Sequence, residues 1–157
     1  GLPPQINQGN AEVLREYIYI TDVADGYMLL AEKISEIYGK NNILMPKSGK
    51  ETYGWAAFNL GSYTKAELKE ISKCDKIRSV TMVIDLLRKK VKDFAPVVAE
   101  KAANFIEIPD QYLDAGKLRK LGFSPKVNFE DGLDLTIDWY KKNFEHLAGL
   151  AQRYIAK

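Results

Sequence analysis

The sequence predicts a mixed α/β fold, or α+β if the piece stands by itself, with residues 1–157 as a single domain. Three observations lead there. Helical periodicities outnumber strand-like runs, helices separate those runs, and the length suits one core but not two typical domains. Two or three isolated strands make a poor sheet. The chain therefore reads as part of a longer protein, or as one that completes its sheet with a second copy.

Residues 1–16, with Pro3-Pro4 and Gly9-Asn10, read as a loop entering a strand. Tyr17 to Thr21 are aromatic or β-branched throughout, which is strand composition. Asp22 is placed to cap the following helix, whose apolar face carries Val23, Tyr27, Leu30, Ile34 and Ile37, and Gly39 terminates it. Residues 40–55 read as irregular around Pro46, Gly49 and Gly54, and Ala56–Leu60 as a short buried strand. Thr64-x-x-Glu67 has the form of a capping box and opens a short helix through about Lys73. A second helix starts after Ser79 and runs to about Lys92, with Val83, Leu86, Leu87 and Val91 on its apolar face. Phe94–Val98 reads as a strand whose Pro96 marks an edge or an end.

Asp114 caps a helical turn that stops at Gly122, just ahead of Pro125. The last helix is the clearest element. Asn128 caps it, Glu130 and Asp131 suit its positive end, and Leu133, Ile137, Tyr140, Phe144, Leu147 and Tyr154 form a stripe. Trp55 and Trp139 read as core.

Composition narrows the function classes. With 46% apolar and 28% charged residues the chain is an ordinary globular sequence, and 23 basic residues against 21 acidic ones leave no bulk field for nucleic acid. No apolar run approaches the roughly 18 residues that span a bilayer. The single cysteine, Cys74, excludes an intramolecular disulfide and fits a reducing, cytoplasmic setting. A start at Gly1 reads as a cut or cloned terminus.

Several chemistries lack their residues. A dinucleotide fingerprint needs glycines two apart, and none of the 11 glycines are. None of the 9 tyrosines has a lysine four residues on, so the reductase Tyr-x-x-x-Lys pair is missing. One histidine and one cysteine exclude a zinc site built from those ligands, and His146 reads as a solvent-facing helix histidine. No catalytic, cofactor-binding or metal-binding residue is therefore expected in this chain.

Two stretches carry a resemblance. Near the start the chain reads Arg15-Glu16-Tyr17-Ile18-Tyr19-Ile20-Thr21-Asp22-Val23-Ala24. Near the end it reads Gln111-Tyr112-Leu113-Asp114-Ala115-Gly116-Lys117, then Leu121-Gly122-Phe123-Ser124-Pro125-Lys126. Together they resemble the C-terminal, nucleotide-sugar-binding portion of the extended short-chain dehydrogenase/reductases, the NAD-dependent epimerases and dehydratases. The run from Phe123 through Trp139-Tyr140 is worded most like the CDP-glucose 4,6-dehydratase group.

The resemblance implies a nucleotide-wrapping loop at Pro4–Gly9, including Gln5, Ile6 and Asn7, and a diphosphate clamp at Arg15. Its physics is sound, since a planar guanidinium binds phosphate oxygens bidentately. It also implies a contact from Glu107 to the sugar of the nucleotide and a helix-capping role for Asp22. Asn104 stands where related epimerases place a second diphosphate arginine, and Lys65 to Ile77 reads as an insertion or a diverged connection.

As a whole, the resemblance implies the substrate-binding part of a nucleotide-sugar 4,6-dehydratase of polysaccharide biosynthesis. A 4-epimerase of the same family, or a non-catalytic binding or assembly module, are the alternatives. The ligand would be a CDP-, UDP- or dTDP-hexose, and NAD would be bound mainly by an N-terminal half. The expected protein partner is that half or a second copy, and by itself the chain should not turn over any nucleotide-sugar.

Overall fold

Leu14–Glu16 is the strand on which the described part of the chain is assembled. A computed structural model describes residues 5–7, 12–34, 37, 57–99, 108 and 110–155. Its first strand, β1 (Gln5–Asn7), runs parallel to β4 (Val97–Ala99), with Ile6 opposite Val98. The second, β2 (Leu14–Glu16), pairs antiparallel with β3 (Ile77–Ser79), with Arg15 opposite Arg78. On its other edge β2 bridges Gln111: the Gln111 amide donates to the Leu14 carbonyl at 2.9 Å and the Glu16 amide to the Gln111 carbonyl at 3.1 Å. The mixed fold class holds, as two small two-stranded sheets among helices.

Two strands lie inside the stretch read as a loop, and the strand expected at Tyr17–Thr21 begins three residues earlier. The expected cap moves with it. Helix α1 (Ile20–Glu32) starts after Tyr19, whose backbone is extended, and Asp22 falls within its first turn. The aromatic residues of 17–19 serve packing rather than a ladder, Tyr17 meeting Phe129 edge-on at 5.4 Å.

Asp22 does something other than cap. It is 1% exposed, and its carboxylate accepts from the amides of Lys126 at 2.9 Å and Val127 at 3.1 Å. The same turn adds an ion pair from Lys126 to Asp25 at 2.6 Å. These contacts set which side of α1 faces inward. Asp22 and Gly26 are its buried residues, and a Cβ on Gly26 would lie 3.0 Å from Leu60 Cδ1 and 3.3 Å from Phe123 Cε2. The expected apolar face is only partly inside: Ile37 is buried, but Tyr27 is 66% exposed and Ile34 56%. The Gly39 terminator lies outside the described residues.

Residues 57–60 form no strand. Side chains hold them instead: Lys117 Nζ donates to the Ala57 carbonyl at 2.8 Å and stands 4.8 Å from the centre of the Phe58 ring, and Asn59 donates to the Asp114 carbonyl. The Thr64/Glu67 capping box forms as read, with the Thr64 amide donating to Glu67 Oε2 at 2.7 Å and the Glu67 amide to Thr64 Oγ1 at 3.4 Å. It opens a 3-10 helix (Glu67–Lys73) that kinks at Glu70.

Helix α2 (Val80–Lys90) is capped by Ser79, which accepts from the Met82 amide at 3.3 Å. The following strand, β4, starts after Pro96 instead of at Phe94, since proline has no amide to give a ladder. Asp114 Oδ1 accepts from the Gly116 amide at 2.8 Å ahead of the short α3 (Gly116–Arg119). The turn closes as a Schellman motif. Gly122, at φ 100°, donates to Arg119, Phe123 donates to Leu118, and the side chains of Leu118 and Phe123 are both buried.

The last helix, α4 (Phe129–Ile155), has Asn128 Oδ1 accepting from the Asp131 amide at 2.9 Å, as read. Its stripe is half inside. Leu133, Ile137 and Leu147 are partly covered, whereas Tyr140 and Phe144 are exposed, Phe144 at 69%. Trp139 is not core: it is 51% exposed and stacks edge-on against Tyr140. Trp55 lies outside the described residues. Among the described residues no helix is long and apolar enough to cross a membrane.

A second carboxylate ties α4 to the rest. Asp75 accepts from the Tyr63 hydroxyl at 2.7 Å and from the Phe129 amide at 3.2 Å, while the Tyr63 oxygen accepts from the Lys76 amide at 2.9 Å. Burial alone would push Asp75 up, but Tyr63, the Phe129 amide and the charges of Lys76 and Arg78 outweigh it and hold it below its usual value. Burial pushes the Tyr63 hydroxyl well above its ordinary value, and Asp75 adds to this.

Two outcomes follow for stability. Asp22→Ala should lower the unfolding free energy in urea by about 1.5–3 kcal/mol, because two buried amides lose a charged acceptor. Asp75 is depressed on folding, so its contribution is present above about pH 4 and is lost as pH falls through its folded pKa. Acid unfolding followed by circular dichroism should therefore be steeper in the wild type than in Tyr63→Phe, where Asp75 is less depressed. Parallel acid profiles would remove Tyr63 from the account.

Candidate functional site

Arg15 is the residue around which the candidate site can be built. It sits at the middle of β2, so both neighbouring peptides are fixed by ladder and bridge bonds. Its guanidinium donates to the Leu14 carbonyl at 2.9 Å and to the Ile108 carbonyl at 3.0 Å. The Leu14 amide donates to Asp110 Oδ1 at 2.8 Å. Ile108, Asp110 and Gln111 are thus each bonded to β2.

The expected site residues fare differently. Arg15 is part-buried and donates to the carbonyl of Ile108, the residue that follows Glu107 in sequence. Glu107 and Asn104 themselves lie outside the described residues. Gln5, Ile6 and Asn7 form β1, and their described partners are the backbone positions Val97, Val98 and Ala99. Asp22 keeps a structural role, but through residues 126–127.

Sequence reading missed Glu16, the neighbour of Arg15. Its carboxylate accepts from the amides of Ser62 at 2.5 Å and Leu113 at 2.9 Å. The only available signal was an acidic residue at the entry to a strand, which is too common to single out. Burial raises the Tyr17 hydroxyl above its ordinary value, partly offset by the Arg15 charge.

Two other features lack the chemistry of a phosphate or nucleophile site. An apolar cleft of about 200 Å³ lies between Tyr17–Tyr19, Val83 on α2 and the first turns of α4. The residues lining it include no cation, so it is poorly suited to a phosphate group. Cys74 is buried, and burial raises its thiol above the ordinary value, the reverse of what a nucleophilic cysteine needs. His146 is exposed on α4, as read.

No family model matches the chain. Among known proteins it is similar to GDP-L-fucose synthase 1 of Arabidopsis thaliana, with 27% identity over 135 residues, covering 86% of this chain and 32% of that protein. It is 31% identical over 144 residues to a trifunctional UDP-glucose 4,6-dehydratase/UDP-4-keto-6-deoxy-D-glucose 3,5-epimerase/UDP-4-keto-L-rhamnose-reductase of the same plant, covering 87% of this chain and 16% of the relative. To human dTDP-D-glucose 4,6-dehydratase it is 21% identical, covering 88% of this chain and 33% of that one.

Among solved structures it is similar in fold to the UDP-glucose 4-epimerase of Thermus thermophilus in complex with NAD. The TM-score is 0.55 at 20% identity, over 89% of this chain and 36% of the other. The chain spans about a third or less of the length of the curated relatives it matches. These relatives are NAD-dependent epimerases, dehydratases and reductases of the extended short-chain dehydrogenase/reductase group, and the chain is similar to part of each.

Proposed function

We propose that this chain is the nucleotide-sugar-binding portion of an NAD-dependent 4,6-dehydratase, with Arg15 contacting the diphosphate and Glu107 the sugar of the nucleotide. The observation that carries this reading is the guanidinium of Arg15, aimed by β2 and bonded to the Ile108 carbonyl, one residue beyond Glu107. A cation fixed in direction binds a diphosphate with less ordering cost than a mobile one. Related proteins named for dTDP-glucose and UDP-glucose 4,6-dehydration support the dehydratase reading. The fold likeness to a UDP-glucose 4-epimerase favours a second one, a 4-epimerase of the same family.

The chain has no glycine pattern to cradle a dinucleotide, so its residues do not fit NAD and no step of the reaction is assigned to them. NAD would be held by another portion of the parent protein, and this portion would orient the hexose toward it. A non-catalytic binding module is the third reading. Calorimetric titration tests the nucleotide-sugar-binding portion against an assembly module, since the former should take up UDP-glucose or dTDP-glucose without needing NAD.

Arg15→Ala should weaken UDP-glucose binding by about 1.5–3 kcal/mol, the range for a hydrogen bond to a charged group. Arg15→Lys should recover part of it, keeping the charge and losing the fork. Unchanged affinity with a lower melting temperature would make Arg15 a purely structural tie to Leu14 and Ile108.

The exposed apolar side chains bear on partners. Ile20, Tyr27, Met28 and Ile34 on and just after α1, and Leu135, Trp139, Tyr140 and Phe144 on α4, are all at least 47% exposed. Apolar surface of this extent is normally covered. In sedimentation equilibrium at micromolar concentration the chain should be a dimer or larger, or should join the remainder of its parent. A monomer that ignores that remainder would refute both.

A further inference from the structure

Arg15 and Glu16 grip the same segment at two points. Arg15 donates to the Ile108 carbonyl at 3.0 Å, and Glu16 Oε2 accepts from the Leu113 amide at 2.9 Å. Between these points the Gln111 peptide is bonded to β2 on both sides. The other oxygen of Glu16 accepts from the Ser62 amide, so one carboxylate joins β2, the 61–62 turn and the segment that follows Glu107.

The surroundings leave the carboxylate little room. Gly61 is buried, and a Cβ there would lie 3.1 Å from Glu16 Oε2, 3.2 Å from Oε1 and 3.1 Å from the Leu113 carbonyl. Ser62 is buried too, and its hydroxyl has no hydrogen-bond partner among the described residues, so its amide bond to Glu16 is what fixes its place. The arrangement needs two acceptors on one side chain. Glutamine offers one acceptor and would turn an NH₂ toward the other amide, while aspartate is one methylene short.

We propose that Glu16 is a positioning residue of the nucleotide-sugar site: it sets the spacing between Arg15 and the 108–113 segment, and so between the groups that would hold the diphosphate and the sugar. The proposal rests on the reading of Arg15 given above. It extends that reading by making nucleotide-sugar affinity depend on a side chain outside the proposed ligand contacts.

The test uses the 157-residue chain, with UDP-glucose as the probe. In Glu16→Gln, the amide of Ser62 or Leu113 should exchange at least about tenfold faster by NMR, the equivalent of one lost hydrogen bond to a charged group. UDP-glucose affinity should fall about 10- to 20-fold, near the lower end of such a loss. Arg15→Ala should then cost less in the Glu16→Gln background than in wild type, because the two residues act through one segment. Additive losses, or wild-type protection at both amides, would overturn the proposal.

Gly61→Ala crowds the same contact while keeping the Glu16 carboxylate itself. It should shift exchange at Ser62 and Leu113 in the same direction, so the proposal stays testable if Glu16→Gln fails to fold. Wild-type exchange at both amides in Gly61→Ala would then refute it. If the wild-type chain takes up no UDP-glucose, the site reading fails, and with it the link from Glu16 to ligand. The exchange data would then still show whether Glu16 holds the segment.

Discussion

A three-residue strand satisfied on both edges is the constraint on which the rest of this structure depends. β2 is bonded to β3 on one side and to Gln111 on the other. Its alternate side chains then reach in different directions. Because the strand backbone has partners on both sides, the directions of Arg15 and Glu16 are set by the fold and not by their own rotamer preferences. A short strand can do this because its neighbours are fixed in turn: β3 runs directly into the capped α2, and the 108–114 segment into α3. The Asp75 contact to the Phe129 amide continues the chain of constraints into α4.

Local chemistry was legible in the sequence. The caps at Thr64/Glu67, Ser79 and Asn128 and the glycine stop at Gly122 all appear where their residue types place them. Each is a bond between positions three to five apart, so a short stretch of sequence contains both partners. Arg15 and Glu107 stood out for another reason, a resemblance carried by the wording of both stretches. What did not show were the carboxylates of Glu16, Asp22 and Asp75. Their partners include backbone amides 46 to 105 residues away, and an amide looks the same at every position.

The amphipathic reading failed in an instructive place. Periodicity put Tyr27 and Ile34 inside, whereas α1 turns Asp22 and Gly26 inward. What α1 holds inward instead is a carboxylate that accepts from two amides, a contact whose loss would leave a buried charge unsatisfied. Close packing of Gly26 on Leu60 and Phe123 then fixes the rotation. Trp139 and Phe144 on α4 are likewise exposed where composition and periodicity placed them inside.

The long reach of Asp22 also bears on how the chain comes off the ribosome. Its partners lie 104 and 105 residues downstream, and the Leu113 amide that Glu16 needs lies 97 downstream. At synthesis rates of about 5–20 residues per second, these carboxylates wait roughly 5–20 s before their acceptor oxygens can be used. During that interval α1 has no fixed docking partner, and its apolar residues are open to chaperones and to neighbouring nascent chains. The α1 segment is thus made well before the partners that secure it, so a premature stop before Lys126 would leave Asp22 without its anchor.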